Sequence, residues 1–408
     1  MKEPKIRFKG FSGEWKRSTL GDLALFSKGS GYSKSDICKE GTPVILYGRM
    51  YTKYQSVFDE IDTFVNPKDN SVVSKGGEVI IPGSGESSED ISLAAMVKNE
   101  GVILGGDLNI LKFNQKVNDP AFMSMAITYS PTRAELSSYS QGKTVVHLRN
   151  SEIAKGTIRY PDISEQNTIV NYVLSLDAQI SASTSRLDSL KQMKAASLQA
   201  MFPQEGETVP KVRFKGFEGE WKTRSLNNYA KKRTEKNVNR IYNVTLTNSA
   251  EFGIIDQRQF FDHDISNSEN IDGYFVVRDK DFVYNPRISA SAPVGPINQN
   301  KLGYPGVMSP LYLVFEVKGI NHDFLEIYFH TALWHKYMFD NGNSGARFDR
   351  LTISDDDFMR MPIPDISLAE QQSIAFFFTS LDRQIALHTQ RLEKLKQIKA
   401  ACLDKMFA

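Results

Sequence analysis

Residues 165–202 read EQNTIVNYVLSLDAQISASTSRLDSLKQMKAASLQAMF, and this stretch decides the fold. It contains no Gly and no Pro, and apolar residues recur in it at alternating steps of three and four. This 3.5-residue period predicts one long helix with a seam that faces another helix. The seam residues are Ile169, Val173, Leu176, Ile180, Ser183, Leu187, Leu190, Lys194, Ser197 and Met201.

The chain contains a second copy of this stretch in residues 370–407, with 20 identities in 38 aligned positions. The opening is repeated too, because residues 4–20 recur as residues 210–226 with 12 identities in 17. We therefore interpret the chain as two repeats, each a globular part followed by a long helix. The second seam contains Ile374, Phe378, Leu381, Ile385, His388, Leu392, Leu395, Lys399, Cys402 and Met406.

Connectivity predicts that the two helices pair antiparallel. The second globular part begins where the first helix ends and finishes where the second helix begins, so these two helix ends must lie close together. The fold class expected is α+β, with two domains separated by a long antiparallel two-helix coiled coil and related by pseudo-two-fold symmetry. The predicted segments are a first domain at 1–163, a first helix at 164–206, a second domain at 207–366 and a second helix at 367–408.

The globular parts have short apolar runs bounded by Gly, Ser and Pro, which is typical of strands and turns. Between the repeated elements the two parts differ almost throughout, so the repeats share a scaffold and differ in their surfaces. Strands are predicted at 44–47, 78–81, 102–104, 109–113, 241–246, 273–277, 281–285 and 312–317, and helices at 119–129 and 323–338.

Composition excludes several classes of protein. No apolar stretch is long enough for a secretory signal or a membrane span, so we expect a cytoplasmic protein without membrane contact. Cys38 and Cys402 are the only cysteines, which argues against a disulfide framework or a structural zinc site.

Catalytic motifs are incomplete. Gly142, Lys143 and Thr144 resemble the end of a phosphate-binding loop, but Ser137 stands where that loop requires Gly. The Asn-Pro-Arg sequence at 285–287 lacks the second Pro and the aromatic residue of an amino-methyltransferase motif. We therefore assign no catalytic, cofactor-binding or metal-binding residues.

Basic, aromatic and amide residues are frequent in turn-rich segments, where such side chains can meet phosphates and base edges. A solvated charged face is the alternative explanation. Arg287 is the strongest candidate, because a predicted strand and a Pro turn precede it and should hold its guanidinium still, although it could instead pair with an internal carboxylate. The candidates for DNA binding are Tyr32, Lys34, Arg49, Lys53 and Lys143 in the first domain and Lys232, Arg233, Asn285, Arg287, Arg347 and Arg350 in the second.

The sequence resembles the specificity subunit of type I restriction-modification enzymes over essentially its whole length. The resemblance is carried by the paired RFKGFxGEW openings and by the paired PDIS-EQ, LDxQI and RLxxLKQxKAAxLxxMF motifs. Residues 76–87 and 279–289 also resemble strand-turn elements of target-recognition domains in that family.

This resemblance implies that each domain reads one half of a bipartite, asymmetric site in double-stranded DNA and that the coil sets the spacer. It also implies that the helices dock two modification (methyltransferase) subunits and that restriction subunits, which carry the ATP-dependent translocase and nuclease, join the complex. S-adenosylmethionine, ATP and Mg²⁺ would then belong to those partners. Two other classes stay open from the residues alone, namely a self-contained methyltransferase and a coiled-coil scaffold without DNA contact.

Overall fold

The computed structural model describes residues 4–142, 145–260, 271–343 and 349–407, with only the backbone described at 259 and 260. The chain divides into two compact units. The first unit holds Met1–Thr184 and Gln390–Ala408, and the second holds Ser185–Thr389. Each unit therefore contains the beginning of one long helix and the end of the other. The four predicted segment boundaries stay a prediction.

The first unit is built on two five-stranded sheets. In spatial order, one sheet contains Ala24–Lys28, Leu108–Phe113, Glu78–Pro82, Ala95–Val97 and Val57–Phe58, and the other contains Ile37–Cys38, Phe64–Val65, Thr42–Ile45, Glu100–Leu104 and Val73–Lys75. Two smaller pairs join Lys16–Thr19 to Thr157–Tyr160 and Ser84–Gly85 to Val146–His147. The helices are Leu20–Leu23, Arg49–Thr52, Ser88–Ile91, Pro120–Tyr129, Pro131–Tyr139 and Asn150–Ile153, with a 3₁₀ turn at Lys34–Asp36.

The second unit is built on one four-stranded sheet, which contains Ala230–Lys232, Leu313–Val317, Phe282–Tyr284 and Ile297–Gln299 in spatial order. Three strand pairs join Lys222–Ser225 to Pro362–Asp365, Leu246–Ser249 to Gly253–Asp256, and Phe275–Val277 to Gly306–Met308. The helices are Gln257–Phe260, His322–Phe329, His335–Asn341 and Asp355–Met359, with 3₁₀ turns at Leu226–Asn228 and Ile271–Gly273.

Most of the predicted short elements are present, and the exceptions have local causes. The helix predicted at 119–129 is confirmed as Pro120–Tyr129, because Asp119 Oδ1 accepts the free amides of Ala121 and Phe122 at 2.8 and 3.1 Å. The strand predicted at 241–246 is wrong over most of its length. The side chain of Asn237 donates to the carbonyl of Tyr242 and accepts its amide, so these backbone groups are not available to pair with a neighbouring strand.

The single helix predicted at 323–338 is also wrong, because the structure has two helices, His322–Phe329 and His335–Asn341. The side chain of Thr331 donates to the carbonyl of Tyr328 at 2.7 Å, and the indole of Trp334 donates to the carbonyl of Phe329 at 3.0 Å. These side chains use carbonyls that a continuing helix would need, so the helix ends.

The two long helices are confirmed as Ile163–Ala200 and Leu368–Phe407. All twenty predicted seam residues are buried or half-buried. Within the first unit, Lys399 pairs with Asp177 at 2.5 Å, and within the second unit Lys194 pairs with Asp382 at 2.5 Å. The aligned repeats place these pairs at equivalent positions. In the first unit Cys402 also contacts the hydroxyl of Tyr172 at 3.9 Å, so residue numbers rise along one helix as they fall along the other, and these two segments run antiparallel.

The end of each helix is seated in an aromatic cluster. In the first unit, the ring of Phe407 lies 5.5 Å from that of Phe122 and 6.4 Å from that of Trp15. In the second unit, the ring of Phe202 lies 5.6 Å from Trp221 and 5.9 Å from Phe324. The tryptophan comes from the repeated opening each time, so the GEW sequence of each opening has a packing role.

The beginning of each helix is held by a buried ion pair. Arg7 donates from two nitrogens to the carboxylate of Glu165, each bond being 2.7 Å long. Arg213 binds Glu370 in the same way at 2.7 and 2.8 Å. Two parallel bonds fix orientation as well as distance, so the pair aligns each opening with its helix. Within the described residues, no helix combines the length and the apolar character needed to cross a membrane.

Replacing Phe407 by Ala is expected to destabilise the first unit by about 3–5 kcal/mol, because it removes a buried ring from a packed aromatic cluster. Phe202→Ala should do the same to the second unit. The matched control is Phe376→Ala on the second helix, where the side chain is 75% exposed and the change should be neutral. Hydrogen exchange measured by mass spectrometry would localise each loss, and equal effects for all three variants would contradict the assignment.

Candidate nucleic-acid interface

Tyr32, one of the predicted DNA-binding residues, is buried in the first unit. Its hydroxyl bonds the hydroxyl of Ser71 and accepts the amide of Lys68 at 2.7 Å. The ammonium of Lys68 lies 4.5 Å from the centre of the Tyr32 ring. The tyrosine therefore holds a loop together. Lys34, at the start of a 3₁₀ turn, is exposed.

Arg49 and Lys53 share one carboxylate in the first unit. Arg49 pairs with Asp62 and also donates to the carbonyl of Glu60 at 3.1 Å, while Lys53 reaches Asp62 at 2.5 Å. The guanidinium of Arg49 also lies over the ring of Phe58. These two cations draw the pKa of Asp62 well below its usual range through hydrogen bonds, Lys53 having the larger effect. Lys143 lies outside the described residues.

Two predicted cations of the second unit are neutralised by acids. Arg233 donates to both oxygens of Asp281 at 2.6 and 2.9 Å, and the carboxylate of Asp281 is only 4% exposed. Burial raises the pKa of Asp281 in spite of the opposing hydrogen bond from Arg233. Lys232 pairs with Asp355. Arg233 thus has a structural role in the fold, and Arg347 lies outside the described residues.

The structure brings the remaining predicted residues of the second unit together. We call this place the second corner and define it as residues 285–288 with residues 349–351. Arg287 and Arg350 form a backbone bridge there, Leu351 N donates to Pro286 O at 2.9 Å, and Ile288 N donates to Asp349 O at 3.0 Å.

The turn in the second corner is stiffened by its own side chains. Asn285 Oδ1 accepts the amide of Arg287 at 3.0 Å, and Asn285 Nδ2 donates to the carbonyl of Asn248 at 2.9 Å. The side chain of Arg287 is exposed and has no ion-pair partner among the described residues. Arg350 is partly exposed, with Asp349 at 3.8 Å. The internal carboxylate considered as an alternative partner for Arg287 is thus not found in the described part of the chain.

The first unit contains the same construction, which we call the first corner and define as residues 83–85 with residues 146–149. Ser84 pairs with His147 in register, and Leu148 N donates to Gly83 O at 3.1 Å. That bond is the counterpart of the one from Leu351 to Pro286, because Leu148 lies as far before Pro161 as Leu351 lies before Pro364. A cleft of about 570 Å³ opens at the first corner, lined by Lys28, Gly83, Asp107, His147, Leu148, Arg149, Asn150 and Ser151.

Charges of both signs meet in this cleft. Ser84 Oγ lies 3.1 Å from Asp107 Oδ2 and 3.0 Å from His147 Nδ1. Partial burial lowers the pKa of Lys28, with Asp107 opposing the shift and Arg149 adding to it. Neither Lys28 nor Arg149 has an ion-pair partner within the described ranges. The cleft at the first corner therefore offers a ligand hydrogen-bond donors from Lys28 and Arg149 and acceptor oxygens from Asp107.

Sequence reasoning did not select Lys28, Asp107, His147 or Arg149 as candidates. The usable signal was the repeat itself. When the two repeats are aligned backwards from the repeated PDIS motif, His147 stands opposite Arg350. Arg350 was selected only because arginine can bind base edges and phosphates.

Comparison with known proteins identifies the family. A model described as the type I restriction modification DNA specificity domain matches residues 12–192 and again residues 219–397. One match lies in each repeat, and the two matches include both corners. No curated protein sequence matches the chain significantly.

Two solved structures align with nearly the whole chain, and the one with the TM-score above 0.5 shares its fold. A type I restriction-modification system S subunit from M. genitalium aligns with a TM-score of 0.60 at 14% identity, over 100% of this chain and 99% of that one. The HsdS subunit from Thermoanaerobacter tengcongensis aligns with a TM-score of 0.47 at 16% identity, over 96% of each chain.

Arg233→Ala is expected to cost about 3–5 kcal/mol of folding free energy, because it leaves the buried carboxylate of Asp281 without its partner. Arg287→Ala should change stability by no more than about 0.5 kcal/mol, since an exposed side chain without a partner is removed. Denaturant titration of both variants separates the two roles. A stable Arg233→Ala protein would return that residue to the list of candidate DNA contacts.

Proposed function

The chain belongs to the family of type I restriction modification DNA specificity domains and is a DNA-recognition subunit, and from that premise we propose that each corner reads one half of a bipartite, asymmetric site in double-stranded DNA. One observation carries the proposal. The two units repeat the backbone of the corner and place different exposed side chains on it. Two corners with the same backbone and different side chains are suited to two half-sites of different sequence.

The second corner is suited to guanine. Arg287 and Arg350 are brought side by side by the backbone bridge, and an arginine fork can bind O6 and N7 of guanine in the major groove. The bond from Asn285 Oδ1 to the Arg287 amide limits the motion of the turn that carries the fork. A fixed fork can discriminate between bases, whereas a mobile cation contacts only phosphate.

The first corner is suited to a different base pair. Lys28 and Arg149 can donate to guanine, while Asp107 is an acceptor for an exocyclic amino group such as N4 of cytosine. One oxygen of Asp107 already accepts from Ser84, which orients the carboxylate. The half-sites are therefore proposed to differ, and the whole site to be asymmetric.

We further propose that the long helices fix the spacing of the half-sites and dock two modification subunits, with restriction subunits joining the complex. Leu368, Phe376 and Leu387 on the second helix are 55, 75 and 64% exposed, which supports a role as a partner surface. The chain would be non-catalytic and cytoplasmic, and S-adenosylmethionine, ATP and Mg²⁺ would be bound by the partners. A scaffold without DNA contact is not favoured, because the matching family is one of DNA specificity domains.

Arg287→Ala is expected to weaken binding to the specific site by about 1–3 kcal/mol and to relax the preference at one base position. Lys231→Ala, which removes an exposed point charge from the strand Ala230–Lys232, should weaken binding to all sequences and reduce the salt dependence by about one phosphate contact. Binding of the assembled methyltransferase to specific and random duplexes at several salt concentrations measures both. Equal losses on the two duplexes for Arg287→Ala would assign this residue to phosphate binding.

Exchange of residues 213–362 for the matching segment of a related chain should alter one half of the methylated sequence and preserve the other. The reason is that this segment contains the whole second corner and its supporting sheet. Mapping of methylated bases in genomic DNA gives the result. Independent reading by the two units would be refuted by a change in both halves.

A further inference from the structure

Each corner rests on one buried polar side chain that lies beneath it. In the first unit this is Asn109, which is 0% exposed, and in the second unit it is Tyr284, which is 3% exposed. Both point a hydrogen-bond donor at the backbone carbonyl of the leucine in the corner. A polar group buried in a core is costly unless it is bonded, so these donors are committed to the carbonyls they meet.

In the first corner, a single amide group ties both segments. Asn109 Nδ2 donates to Leu148 O at 2.9 Å and to Pro82 O at 3.2 Å. Leu148 directly precedes Arg149, and Pro82 directly precedes residues 83–85. The amide therefore sets the separation of the two segments from below.

In the second corner, a phenol has this position. Tyr284 Oη lies 3.3 Å from Leu351 O and 3.0 Å from Val294 O, so its proton can serve either carbonyl. Leu351 directly follows Arg350. Gly295 allows residues 294–296 to pass this close, because its φ is +84° and a Cβ there would lie 2.1 Å from Asn285 O.

The donor has exchanged strands between the two units. In the first unit Ile81 faces Asn109 across a strand pair, and in the second unit Tyr284 faces Leu313. Ile81 and Tyr284 are counterparts, since each lies two residues before the carbonyl that accepts the leucine amide of its corner. Each unit thus pairs one apolar residue with one donor. The apolar Ile81 of the first unit corresponds to the donor Tyr284 of the second, so the donor lies on the other strand of the pair.

We propose that Asn109 and Tyr284 are positioning residues for sequence reading, which hold the corners in register without contacting DNA. This inference rests on the proposed function of the corners. Reading a base edge requires the reading group to be held within about 0.5 Å, whereas a phosphate contact tolerates more motion. Loss of the buried donor therefore affects discrimination between bases more than it affects binding to random DNA.

The experiment uses Tyr284→Phe, which removes the hydroxyl and keeps the ring. The full chain is studied in cells that carry the complete system, and methylation is mapped across genomic DNA at the specific site and at all single-mismatch sites. Discrimination at the positions read by the second unit should fall by about tenfold. The other half of the site should be read as before.

The matched control is Tyr328→Phe in the same unit. Tyr328 is also buried, and its hydroxyl donates to Pro362 O at 3.1 Å, away from the corner. Both variants lose one buried bond from a phenol to a carbonyl, so their losses of stability should be similar. Only Tyr284→Phe should relax one half-site. Asn109→Ala is the counterpart in the first unit and should relax the other half.

The outcomes separate the inference from the function on which it rests. If Arg287→Ala and Arg350→Ala relax one half-site while Tyr284→Phe behaves like Tyr328→Phe, the positioning role is wrong and the corner is still the reader. If the two arginine variants leave discrimination intact, the proposed function of the second corner fails. Relaxation of both half-sites by Tyr284→Phe would also overturn the positioning role, because its effect would then be a general loosening.

Discussion

Each unit depends on a helix end that comes from the other repeat. The first unit closes its core over Leu403, Met406 and Phe407, and the second closes its core over Met201 and Phe202. Phe407 contacts Trp15 and Phe202 contacts Trp221, each tryptophan belonging to the opening of the other repeat, so a repeat taken by itself lacks part of its own core. The buried ion pairs of Arg7 and Arg213 complete the arrangement, since truncating one partner of such a pair would leave an uncompensated charge. Duplication therefore made the two repeats mutually dependent.

The duplicated framework could be predicted from the sequence because its signal is long and redundant. A seam of ten positions, found twice, specifies two helices and their pairing, and the connectivity of the repeats specifies the antiparallel direction. Isolated polar residues carry no such redundancy. Arg233 and Arg287 have the same chemistry in the sequence, and what separates them is Asp281, which lies 48 residues from Arg233 in the chain. The partner of an arginine is decided by tertiary structure, and so several chosen cations proved to be committed to acids.

The wrong predictions of one strand and one helix also arose from side-chain bonds that the sequence pattern does not reveal. Residues 241–246 and 323–338 are apolar enough for the predicted strand and helix, yet Asn237, Thr331 and Trp334 bond the backbone groups that regular structure would use. The cleft at the first corner escaped prediction because its lining comes from four separate segments, at residues 28, 83, 107 and 147–151. The second corner was partly found, since Asn285, Pro286 and Arg287 are adjacent in the sequence.

The construction of the corners explains how reading groups can differ while the fold stays the same. The bonds from Leu148 to Gly83 and from Leu351 to Pro286 join backbone atoms only, so they place no demand on the side chains that face outward. Outward-facing positions such as the exposed His147 and the partly exposed Arg350 are then free to vary. The buried donor is not free, because a carbonyl removed from water needs a partner. Asn109 satisfies that need in the first unit and Tyr284 in the second, and the two lie on different strands of the equivalent strand pair. The fold therefore requires a buried donor beneath the corner and not a particular residue. The outward-facing side chains that would contact bases can therefore change without any change in the buried donors that support the corner.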